Sequence, residues 1–149
     1  MSKLPTRSPT HEEVEIPRLA SMGLELEDIA EGEEVQLSAL VELAEDRGRP
    51  PSHYLAAIPL ATELRLAGTA PVKLRVCAGN CQRYGALDLL DHLVEKWVDA
   101  AGATFSITPV TCLDRCDQAP ACEIDSAGGK LVLAPATKSS LDEALASLT

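Results

Sequence analysis

Five cysteines carry most of the chemical content of this 149-residue chain. Cys77 and Cys81 form one pair, Cys112 and Cys116 a second, and Cys122 is left over. Three residues separate the thiols in each pair, Ala78-Gly79-Asn80 in the first and Leu113-Asp114-Arg115 in the second. Four convergent thiolates are a soft ligand set, which favours zinc or an iron-sulfur cluster. Structural zinc prefers the two-residue gap that closes tightly on one small ion. A three-residue gap suits a wider object, such as one iron per pair bridged by two sulfides, so a [2Fe-2S] cluster leads. Two alternatives stay open: a zinc-stabilised interaction module with no redox role, and a thiol-disulfide protein using Cys77 and Cys81. C-x3-C is not, however, the C-x2-C of thioredoxin-like redox motifs. Cys122 is expected to be a buried strand cysteine behaving as a small hydrophobe, with a substitute ligand as its functional alternative.

Reading thiols as ligands depends on the compartment. The start, Met1-Ser2-Lys3-Leu4-Pro5-Thr6-Arg7, lacks the apolar core of a signal peptide, and no apolar run reaches the roughly 20 residues that span a bilayer. A cytoplasmic chain without direct membrane insertion is the expectation, and persistent disulfides are rare there. The net charge of -10 would repel a phosphate backbone or an anionic leaflet and attract a basic patch on a partner protein. With only 3% aromatic residues, a base-stacking surface for single-stranded nucleic acid is not expected either. There is no Ser-His-Asp order, no phosphate-binding glycine motif and no nicotinamide fingerprint, so the chain is not expected to bind NAD itself. His11 falls in the tail and His53 at a helix start; His92 reads as a polar-face residue of a helix rather than a ligand.

Elements able to position two cysteine pairs can be read around them. Val72-Lys73-Leu74-Arg75-Val76 alternates as a strand ending at Cys77. A helix is expected from about Gly85 to Ala101, with Leu87, Leu90, Leu93, Val94, Trp97 and Val98 on one face. Thr104 to Val110 reads as a second strand running towards Cys112. Residues 121–125 and 130–134 make a hairpin across Ser126-Ala127-Gly128-Gly129, and a last helix begins at a capping signal, Ser139 with Asp142. The order is β-α-β-β-β-α, an α/β fold in which the first two strands lie parallel, the hairpin extends the sheet antiparallel, and both helices pack on its faces. Both cysteine pairs then leave the carboxyl ends of neighbouring strands.

The front half is more acidic, residues 1–70 holding 13 acids against 6 bases. Residues 1–34 are expected as an acidic, largely disordered or partner-ordered segment, with a short helix around 17–30 as its ordered alternative. Residues 35–70 read as a small helical unit: Leu37 to Asp46 closed by Gly48, then Ser52 to Leu66 as two short helices or one kinked at Pro59. Residues 71–149 form the α/β domain.

The segments Leu60-Ala61-Thr62-Glu63-Leu64-Arg65-Leu66, Lys73-Leu74-Arg75-Val76-Cys77 and Cys112-Leu113-Asp114-Arg115-Cys116-Asp117-Gln118-Ala119-Pro120 carry a resemblance over residues 37–149. They resemble the thioredoxin-like [2Fe-2S] subunit of NADH:quinone oxidoreductase and its relatives in NAD-dependent formate dehydrogenases and NAD-reducing hydrogenases. The resemblance implies a thioredoxin-like ferredoxin fold preceded by helices, with one [2Fe-2S] cluster held by Cys77, Cys81, Cys112 and Cys116. It also implies one-electron exchange with a flavin-containing NADH-oxidising subunit of the same complex and no catalytic turnover alone. The chain departs from that pattern in a tighter first pair, a shorter interval between pairs and a shorter helical front, which leaves a free thioredoxin-like ferredoxin as a further alternative. Around the ligands, Arg75, Arg83 and Arg115 are either surface arginines or charges that raise the potential of an anionic cluster. Gly79 and Gly85 allow sharp turns, Pro120 fixes the exit of the second loop, and Asp114 and Asp117 lower the potential or form a docking rim.

Overall fold

The computed structural model describes residues 14–67, 70–78, 85–99, 105–111, 121–133 and 136–148. Its fold is mixed α/β. A front of helices α1 (Ile16–Ile29), α2 (Leu37–Arg47) and α3 (Pro51–Ala61) includes two short strands, β1 (Glu34–Val35) and β2 (Arg65–Leu66). Then come β3 (Val72–Cys77), α4 (Ala86–Asp99), β4 (Phe105–Val110), β5 (Cys122–Ser126), β6 (Gly129–Leu133) and α5 (Lys138–Leu148), the β-α-β-β-β-α order read from the sequence.

β3 is central. It pairs in parallel with β4, from Val72 opposite Phe105 to Cys77 opposite Val110, and antiparallel with β5, Leu74 facing Ile124 and Val76 facing Cys122. β5 pairs antiparallel with β6, so the strand order is β4-β3-β5-β6. Side chains alternate between the two faces of a strand. Val72, Leu74 and Val76 are buried with Ile107, Ile124 and Cys122, while Lys73 and Arg75 on the other face are exposed. α4 covers the apolar face with Leu87, Leu90, Leu93 and Val94, whose spacing makes one continuous stripe. Burying each such side chain contributes about 1.5–3 kcal/mol.

Both helices of this part lie on that one side rather than being shared between the faces. His92 Nε2 of α4 is 2.7 Å from Asp142 Oδ1 of α5, and Lys96 Nζ is 3.2 Å from the same oxygen, which fixes α5 beside α4. Asp142 is therefore an inter-helix bridge. The N-terminal cap of α5 is set two residues earlier than the sequence implied: Ser140 N–H donates to Thr137 Oγ1 at 3.0 Å, and Thr137 N–H to Ser140 Oγ at 2.8 Å. This reciprocal pair satisfies the free amides of a first turn.

The front is part of the same core. Ile16–Ile29 form α1, matching the short helix read around 17–30 as the ordered alternative for this segment, and bury Leu19, Met22 and Leu26; residues 1–13 lie outside the described residues. Glu25 of α1 fastens it, accepting from Tyr54 Oη at 2.8 Å and pairing with Arg49 at 3.0 Å and Arg47 at 3.2 Å. α2 ends at Gly48, whose φ of 65° closes the helix in a conformation that costs other residues strain. α3 has no side-chain cap of its own; Asp91 of α4 supplies one, accepting from Ser52 N–H at 2.8 Å and Ser52 Oγ at 2.9 Å. Pro59 is accommodated inside α3, which stops at Ala61 rather than continuing to Leu66. There Thr62 Oγ1 donates to the Ile58 carbonyl and accepts from Leu64 N–H, turning the chain into β2. β2 pairs in parallel with β1, which the sequence reading did not foresee. Among the described residues no helix is long and apolar enough to cross a membrane.

Candidate metal centre

The carboxyl ends of β3 and β4 lie side by side because their parallel register holds to the last residue, Cys77 opposite Val110. Ala78 N–H donates to the Val110 carbonyl at 2.7 Å, tying the start of the first cysteine loop to the end of β4. The Cys77 thiol lies 3.6 Å from the Thr111 carbonyl oxygen, and Cys77 N–H donates to the Ala121 carbonyl at 3.3 Å. Thr111 and Ala121 are the residues on either side of positions 112–120, which carry Cys112 and Cys116. Both ends of that second cysteine segment are thus anchored on Cys77. Cys81, Cys112 and Cys116 themselves lie outside the described residues, as do Gly79, Arg83, Asp114, Arg115, Asp117 and Pro120.

Cys77 is buried at 1% exposure, on the face it shares with Lys73 and Arg75. Arg75 does not stand as a lone positive charge beside it. Its guanidinium is half exposed and 3.8 Å from Glu123 Oε1, which also meets Lys130 Nζ at 3.4 Å. Glu123 was not singled out in the sequence; its place opposite Arg75 in the β3–β5 register is the signal that finds it once pairing is known. Gly85 adopts a φ of 103°, and its carbonyl accepts from Leu89 N–H to begin α4. The turn reading of this glycine therefore describes its structural use.

Cys122 is fully buried and pairs with Val76, one residue before Cys77, so strand alternation sends the two thiols to opposite faces. Burial, with the neighbouring Glu123 charge adding to it, pushes the Cys122 thiol up to about 12. Cys122 is thus a core residue, as its strand position implied. His92 is engaged with Asp142, and His53 sits in the first turn of α3 with its N–H on the Pro50 carbonyl. Among the described residues, no three His, Cys, Asp or Glu side chains are grouped to hold a metal ion; three of the four expected ligands lie outside them. No protein-family model matches the chain, and no curated protein matches it.

Proposed function

We propose that the chain passes single electrons through a [2Fe-2S] cluster held by Cys77, Cys81, Cys112 and Cys116, serving an NAD(H)-linked, flavin-containing oxidoreductase as a subunit. The observation that carries this reading is the attachment of Thr111 and Ala121 to Cys77, which ties the second cysteine segment at both ends to the last residue before the first cysteine loop. The β-α-β-β-β-α order of β3 to α5, with β3 and β4 parallel and the hairpin antiparallel, agrees with the thioredoxin-like ferredoxin domain that the resemblance implies and supports that finer fold reading.

The donor set fits such a group. Four thiolates bind iron strongly, and a bound [2Fe-2S] cluster supplies a one-electron redox centre. The protein's own residues do the rest. The parallel β3–β4 register fixes where both loops leave the sheet, and burial of Cys77 shields its sulfur from water. The Glu123 carboxylate, shared between Arg75 and Lys130, partly offsets the positive charge that Arg75 would bring to the cluster. Cytoplasmic placement and docking on a flavin-containing NADH-oxidising subunit belong to the same proposal, as the resemblance implies.

The test is the visible absorption spectrum of anaerobically purified protein, with iron, sulfide and zinc counted per chain. About two irons and two sulfides, with visible bands that fade on reduction, are expected. A colourless protein holding one zinc, or no metal, would overturn the proposal in favour of an interaction module or a thiol-disulfide protein.

A further inference from the structure

A groove of about 840 Å³ lies where α2, the start of α3, α4 and the first turn of α5 meet. Its apolar lining includes Val41, Pro50, Pro51 and Val98, the last 51% exposed on the outer part of α4. Glu45, Glu95 and Asp99 line it from exposed positions, and none of the three has an ion-pair partner among the described residues. Glu95 and Asp99 are four residues apart on one helix, a spacing at which like charges repel. Asp91 and Glu95 repeat the same spacing, so α4 carries a row of negative charge beside an apolar strip. Lys138 is the one lining cation among the described residues.

From this combination we infer that the groove docks a basic amphipathic segment of a partner protein, apolar side chains against Val41, Pro50, Pro51 and Val98 and lysines or arginines against Glu45, Glu95 and Asp99. Charge complementarity selects the occupant. A second copy of this chain, at net charge -10, would meet like charge. A single metal ion is equally mismatched, because among the described residues these carboxylates are not grouped closely enough to share one. A row of spaced cations flanking an apolar stripe, the pattern of an amphipathic helix, meets both the row and the strip. This inference stands independently of the cluster reading.

The probe is a synthetic helical peptide with leucines on one face and lysines on the other, titrated into the full chain by fluorescence anisotropy. A counterpart with glutamates for lysines serves as control. The Lys/Leu peptide should bind, and raising salt from about 0.05 M to about 0.5 M should weaken it at least about tenfold. The triple variant Glu45→Gln, Glu95→Gln, Asp99→Asn should lose about tenfold or more, and Val98→Ser about threefold. A charge-matched variant away from the groove, Glu27→Gln, Glu31→Gln, Glu63→Gln, should leave affinity within about twofold. Circular dichroism establishes that each variant is folded. Failure of the Lys/Leu peptide to bind, equal binding of the Glu peptide, or equal loss in the two triple variants would overturn the inference.

Discussion

Cys77 and Cys122 sit on neighbouring strands of one sheet, yet the two faces give them different surroundings. Cys122 shares the covered face with Leu74, Val76 and Ile124, and burial holds it as a neutral thiol. Cys77 ends the other face, where Lys73 and Arg75 are exposed and the anchors of the second cysteine segment converge. Burial alone does not separate the two, since both are below 2% exposed. Position along the strand and side of the sheet do. A cysteine in mid-sheet fills volume, whereas one at the carboxyl end of a parallel pair stands where two loops meet.

The sharpest break between the faces is mechanical. Leu74→Ala should cost about 2–5 kcal/mol in denaturant unfolding, because it leaves a cavity among Ile107, Ile124 and α4. Its neighbour Arg75→Ala should cost less, about 1 kcal/mol, since the Arg75 side chain is half exposed and Lys130 stays beside the buried Glu123 Oε1. Equal effects at the two positions would mean that the second face is also covered. Cys122→Ser should cost about 1–3 kcal/mol by placing a hydroxyl in the apolar face, and the wild-type Cys122 thiol should resist alkylation in the native protein at pH 8. Rapid alkylation there would contradict its placement.

The smallest effect lies at the far side of α4. The hydrogen bond from His92 holds the Asp142 carboxyl below its ordinary range, with Lys96 adding to it. A carboxylate depressed in the folded state adds stability above its unfolded value of about 3.9, and that stability is lost as pH falls through the lower folded value. Asp142→Asn should therefore cost about 0.2–1 kcal/mol at pH 7, and the difference should shrink below about pH 4 in thermal melts compared across pH. A difference that grows towards low pH would show that the bridge acts through another group.

How much of this was legible depended on whether the signal was local. The β3 alternation, most of the α4 stripe and the Gly48 stop are local patterns found where the sequence placed them; Val98, read as part of that stripe, is instead 51% exposed near its end. What escaped required knowing a partner distant in the chain. In the sequence α1 reads only as an alternative to a solvated acidic lead-in because its buried apolar side chains, Leu19, Met22 and Leu26, are diluted by acids, and only Tyr54, Arg47 and Arg49 reveal what Glu25 does. β1 and β2 are two residues each and pair across 30 intervening positions, too short to leave a periodic signal. Thr62 turned α3 aside where composition alone still read as helix. At the candidate centre, the sequence supplied four thiols and the convergence of two strand ends. The parallel register supports the convergence, whereas Glu123 beside Arg75 became visible only through the β3–β5 pairing.

The most direct test of the contrast between the two faces is iron content and visible absorbance per chain, measured in parallel on anaerobically purified wild type, Cys77→Ser and Cys122→Ser, all verified as folded. A wild type with about two irons, a Cys77→Ser variant that has lost most of its iron and colour, and a Cys122→Ser variant that keeps both is the predicted result. Bleaching by Cys122→Ser with colour retained in Cys77→Ser would contradict the assignment of the cluster to the carboxyl ends of β3 and β4.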